Sequence, residues 1–156
     1  MPSTETKIKT KKATVKPAKE TVVEIAKPRK YFEAVGRRKT SIARARIFKG
    51  DGKITVNGKD FKVYFPLKKH QTVVRSPLES LNIAENFSAT LKVLGGGITG
   101  QAEAIRHSLS RALVKLNPNY KKRLRKAEYL TRDPRAVERK KYGLKKARRA
   151  PQWAKR

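Results

Sequence analysis

Two period-two segments and one long segment of helical period, all between residues 31 and 120, predict one mixed α/β domain. From Ser41 to Phe48 the chain alternates, sending Ala43, Ala45 and Ile47 to one side and Arg44 and Arg46 to the other, which describes a half-buried strand with a cationic face. Gly50, Asp51 and Gly52 offer the positive-φ positions of a tight turn, so Lys53 to Val56 is expected to return as the second strand of a hairpin ended by Asn57 and Gly58. Leu67 to Ser76 reads as a helix stopped ahead of Pro77, because proline disfavours helical backbone in the residue before it. Phe87, Ala89, Leu91 and Val93 alternate with Ser88, Thr90 and Lys92 as a further strand. In the long helix that follows, Ile98, Ala102, Ile105, Leu109, Ala112, Leu113 and Leu116 form one apolar stripe, opposite Glu103, His107 and Arg111. Asn117 and Pro118 stop it. Asn119 is expected to cap a last, basic helix in which Tyr120, Leu124 and Ala127 stand among Lys121, Lys122, Arg123, Arg125 and Lys126.

Charge dominates the composition: 41 lysines and arginines face 12 acids over 156 residues, a formal net charge of +29. Such a surplus repels itself unless a polyanion neutralises it. The excess rises along the chain. Residues 1–30 carry nine basic and three acidic residues without an aromatic, which predicts a disordered extension; residues 31–120, the domain, carry 16 and six; residues 121–156 carry 16 and three. In this last segment Pro134, Gly143 and Pro151 break any long helix, so a basic tail is expected to follow. The absence of cysteine excludes disulfides, thiolate metal sites and cysteine nucleophiles, and two histidines argue against a histidine metal site. No apolar run is long enough to span a bilayer and no segment reads as a signal peptide, so a cytoplasmic protein is expected.

Catalysis finds little support, and no enzyme, cofactor or metal is expected. His107 has Glu103 one turn away but no nucleophile, and His70, behind Lys68 and Lys69, suits phosphate contact better than proton transfer. Gly95, Gly97 and Gly100 match the spacing of a dinucleotide fingerprint, yet no second strand ending in an acid follows the helix. These glycines are read as a sharp strand-to-helix turn, with phosphate contact at the helix N-terminus as the alternative. Arg37, Arg38, Lys39, Arg44 and Arg46 place five cations within ten residues with no local acid, which favours an RNA face over a merely solvated one. In the tail, Arg139, Lys140, Lys141, Lys145, Lys146, Arg148 and Arg149 are interleaved with Tyr142, and Trp153 follows, a mixture able to grip phosphates and stack on bases. On charge alone a nonspecific DNA-compacting or RNA-chaperone protein stands equally well. A membrane-surface protein is disfavoured because the tail lacks a wide apolar stripe.

Several segments in order resemble one family: Ala34-Val35-Gly36-Arg37-Arg38-Lys39-Thr40-Ser41-Ile42-Ala43-Arg44, Gly95-Gly96-Gly97-Ile98-Thr99-Gly100-Gln101, Ala104-Ile105-Arg106-His107, Arg111-Ala112-Leu113, and the stretch from Glu138 to Gln152. The chain from about Tyr31 to Arg156 is similar to the ninth protein of the small ribosomal subunit in its bacterial form. The resemblance implies a two-layer α+β fold with a four-stranded sheet, helices on one face and a left-handed crossover, an exception to the usual hand. It also implies a structural role in the head of the small subunit, with small-subunit ribosomal RNA (its 3′ major domain), neighbouring head proteins and peptidyl-site transfer RNA as partners, and no membrane. The ribosomal-RNA contacts it implies, together with the cations above, include Arg106, His107, Arg111, Lys121, Lys122, Arg123 and Arg125; the transfer-RNA contact falls to Lys155 and Arg156. The family usually ends in Gln, Phe or Tyr, Ser, Lys, Arg, whereas Trp153 and Ala154 stand here, so stacking ability is kept and a hydroxyl is lost.

Overall fold

The computed structural model describes residues 30–154. The disordered extension expected at residues 1–30 therefore lies, apart from Lys30, outside the described residues. Five strands, β1 (Phe32–Arg38), β2 (Ser41–Lys49), β3 (Ile54–Val56), β4 (Lys59–Asp60) and β5 (Phe87–Leu94), make one sheet in the order β1-β2-β5-β3-β4. Helices α1 (Phe61–Tyr64) and α2 (Lys68–Glu79) lie between β4 and β5, and α3 (Ile98–Leu116) and α4 (Tyr120–Lys126) follow β5.

The sheet thus has five strands where four are expected. The fifth is β4, two residues that turn back through Asn57 (φ 50°) and Gly58 (φ 81°) to pair with Thr55 and Val56. Both central residues at positive φ match the twist of a two-residue hairpin. The hairpin expected between β2 and β3 does not form, because β5 lies between them. Strand β5 matches eight residues of β2, from Ile42 opposite Leu94 to Lys49 opposite Phe87, whereas β3 has only three residues to offer. The turn after β2 is also pinned to the chain entering β5, since the Gly50 N–H donates to the Asn86 carbonyl at 3.1 Å. Strand β3 then runs parallel to β5, with Ile54 opposite Ala89, and α1 and α2 carry the crossover.

Strand β1 shows no clean alternation in sequence because Gly36 occupies a core position. Ala34 and Gly36 are buried opposite Ala45 and Ala43. A Cβ on Gly36 would collide with the Ala104 carbonyl oxygen and the Ser108 nitrogen, so glycine lets β1 touch the backbone of α3. Arg111 and Lys115 of α3 then donate to the Val35 and Glu33 carbonyls, the latter at 2.8 Å, covering the free edge of the sheet. Helix α3 buries Ala102, Ile105, Leu109, Ala112 and Leu113, whereas Ile98, expected on that stripe, is 52% exposed at the first helical position.

Helix α2 runs three residues past the expected stop. Pro77 has no N–H for the Val73 carbonyl, but the Ser76 hydroxyl donates to that carbonyl at 2.9 Å and fills the gap. Asn119 occupies the N-cap position of α4 without a side-chain cap, while Asn117 Oδ1 accepts from its N–H at 3.0 Å. The core joins Ala43, Ala45, Ile47, Ala89, Leu91 and Val93 of the sheet to Val74, Leu78, Ile105 and Leu109, and continues past residue 120 through the fully buried Leu124. The opposite sheet face, with Arg44 and Lys92 side by side, is open. From Ala127 to Ala154 there is no helix or strand.

Candidate nucleic-acid interface

Three of the five cations expected to lack a local acid are in fact paired. Arg44 and Arg46 project from β2 onto the open face, and Glu33 of β1, opposite Arg46 in the register, reaches both at 3.2 and 2.8 Å. The bond to Glu33 raises the Arg46 pKa above its ordinary value. Arg38 points the other way, toward α3 and the chain beyond α4. Its guanidinium is nearly covered, meets Glu103 of α3 and Asp133 (3.0 Å), and donates to the Arg135 carbonyl. The acids come from 65 and 95 residues away, which is why a local count of charges missed them. Arg37 and Lys39 are exposed without an ion pair among the described residues.

The side of α3 opposite the core is covered by the chain that leaves α4. Residues 128–135 form a strap held at three places. Arg106 stacks over the Tyr129 ring at 5.4 Å; His107 accepts the Arg37 N–H on Nδ1 at 3.4 Å and bonds the Leu130 backbone; and Arg38 holds Asp133. His107 is therefore half-buried between β1 and the strap. Loss of water, then the positive charges of Arg111, Arg132 and Arg106, push its pKa below the ordinary value against the bond to Leu130, so the ring is neutral at pH 7. Asp133 is held far below the usual carboxylate range, first by its hydrogen bonds from Arg135.

On α4, Lys121, Lys122 and Arg125 are exposed, and Arg123 reaches across to the Ser80 carbonyl at 2.9 Å. In the tail, Arg148 pairs with Glu138 at 2.6 Å, while Arg139, Lys140, Lys141, Lys145, Lys146 and Arg149 are exposed without a carboxylate partner among the described residues. Lys155 and Arg156 lie outside the described residues. His70, expected to meet phosphate, is buried instead: it packs edge-on against Phe65 and its Nε2 lies 3.3 Å from Thr99 Oγ1. Gly95 and Gly96 adopt φ of 71° and 63° against Thr40 and Ser41, which accounts for the glycine run as a tight exit from β5, and no strand follows α3 among the described residues.

The model of the ribosomal protein S9/S16 family matches residues 36–156, so it takes in β1 from Gly36, every later element and the tail. The chain belongs to the ribosomal protein S9/S16 family. Members of the S9/S16 family are structural ribosomal proteins, so ribosomal RNA and other ribosomal proteins are the partners the family implies. The S9/S16 match begins at the glycine that admits α3 to β1, and it includes both acids of the Arg38 clasp. Sequence reading missed Arg132, Asp133 and Arg135. The pattern Asp-Pro-Arg, in which the Arg135 N–H closes onto Asp133 Oδ1 at 2.9 Å, was the available signal for a fixed turn there. Among the described residues no helix is long and apolar enough to cross a membrane, and no group of three metal-binding side chains gathers.

Proposed function

We propose that this chain is the ninth protein of the small subunit in its bacterial form, a cytoplasmic constituent of the subunit head that binds the 3′ major domain of the ribosomal RNA. One observation carries the reading. Among the described residues five arginines and no lysine pair with a carboxylate, so nearly all the remaining positive charge awaits an external counterion. The domain at residues 31–120 packs an RNA junction. Arg37, Lys39, Arg44, Arg46, Arg106 and Arg111 with Lys121, Lys122, Arg123 and Arg125 face it, and Arg38 and His107 support those contacts from within. Residues 121–156 thread between RNA segments with Arg139, Lys140, Lys141, Lys145, Lys146, Arg148 and Arg149. Lys155 and Arg156 touch peptidyl-site transfer RNA.

Binding of this kind reads RNA shape and phosphate positions, not base sequence. A lysate sedimented through sucrose at low magnesium, after a moderately high-salt wash, tests it, because loosely held cations leave steeply with salt. Stoichiometric retention in the small-subunit peak is expected. Release to the top of the gradient, or migration with DNA, would replace this reading with a nonspecific nucleic-acid binder.

A further inference from the structure

Arginines that lose water in folded proteins are matched by acids, since an unpaired desolvated charge is costly. Arg38 follows that rule with two carboxylates. Arg106 does not. It is half-buried over Tyr129, its Nε is buried without a hydrogen bond, and no carboxylate lies within ion-pair distance among the described residues. It borders a cavity of about 550 Å³ between α3 and the strap, whose wall also carries Glu128, Thr131, Arg132, Asp133 and Arg135. The acids there leave it positive. Asp133 is engaged by Arg38 and Arg135, and Glu128 is exposed and pairs with neither Arg106 nor Arg132, so three arginines face two carboxylates on this wall. Arg132 is exposed and equally without an ion pair among the described residues.

We propose that this cavity is an anion site that seats one phosphate group between Arg106 and Arg132. The guanidinium fork suits two phosphate oxygens, and the Thr131 hydroxyl on the same wall can donate a further bond. Resting on the ribosomal reading, the occupant is a phosphodiester of RNA; a free phosphate or nucleotide offers the same chemistry. The site supplies the missing counter-charge of Arg106 and ties RNA to the strap from which the tail departs.

Two measurements on the full chain test the site. Inorganic phosphate, titrated at constant ionic strength, should shift the NMR ring signals of His107 saturably, since His107 shares a neighbouring cleft with both arginines. R132Q, a change at an exposed side chain, should abolish that shift. With a transcript of the 3′ major domain, R132Q should lower the slope of log K against log salt by about 0.7–0.9, one phosphate's worth. R106K, which keeps the charge and loses the fork, should weaken binding with little change of slope. If wild-type protein fails to bind the transcript, the ribosomal reading itself falls. If it binds, and R132Q leaves both slope and phosphate response unaltered, the pocket alone falls. A phosphate response that R132Q abolishes, with the slope unaltered, assigns the cavity to a free phosphate or nucleotide.

Discussion

Gly36 is where a single hydrogen atom decides the packing of two elements. Alanine there must push the α3 backbone off β1, because the obstacles are a carbonyl oxygen and an amide nitrogen, neither of which can rotate away. Gly36→Ala should cost about 3 kcal/mol of unfolding free energy, the upper end of overpacking costs, measurable as a drop in the urea midpoint. His107 makes a different demand. Its pKa is lowered in the folded state, so the unfolded chain binds the proton more readily. The stability it contributes is complete above its unfolded pKa, near 6.5, and is lost as pH falls through the lower folded value. Asp133, also depressed, adds loss in the same direction at still lower pH. Melting temperature should therefore fall between pH 7.5 and 5.5, and His107→Gln should flatten that slope. A slope unchanged in the variant would remove His107 from the account.

The strap shows how a segment without helix or strand gains a fixed position. Its anchors are one ion-pair node, one stacked arginine and one neutral imidazole. Arg38→Gln should raise amide hydrogen exchange across residues 129–135 and cost about 1–2 kcal/mol, less than a fully buried pair because both carboxylates are about a third exposed. Exchange unaltered in that segment would show that Tyr129 and Leu130 hold the strap alone. The elements legible in sequence are those whose signal is internal. Strands β2 and β5 alternate, and α3 keeps its stripe for most of its 19 residues. What stayed hidden depends on partners. Strand β1 carries a glycine where the pattern wants an apolar side chain, the partner of β2 is chosen by a strand about forty residues on, and α2 outlasts Pro77 through one serine hydroxyl. The candidate interface divides likewise: exposed cations are visible by composition, but the acids that neutralise Arg38 and Arg44 are set by register and by the return of the chain after α4.

Across the whole molecule the charge imbalance has a consequence that can be read without RNA. Repulsion among unpaired cations is screened by salt, whereas the few ion pairs lose little, so added salt should stabilise the free protein. Melting temperature is expected to rise from 50 to 500 mM potassium chloride, and a fall would mean that the ion pairs outweigh the repulsion. The tail tip belongs to the same scale. Removing Lys155 and Arg156 should leave subunit assembly intact and weaken transfer-RNA retention or frame maintenance; truncated subunits that match wild type in both would refute the tip assignment.

The Arg38 clasp turns Asp133 into a pivot. Beyond it the described chain runs 21 residues, Pro134 to Ala154, with a contour of about 70 Å if fully extended. Every phosphate those residues meet must lie within that radius of one fixed point on the α/β domain. On the RNA-binding reading proposed above, once the domain is seated the tail's encounter is intramolecular and confined to that volume, at an effective concentration that tethers of this length place near the millimolar range. On the same reading, loosening Arg38 should enlarge that volume and slow the tail's encounter with RNA.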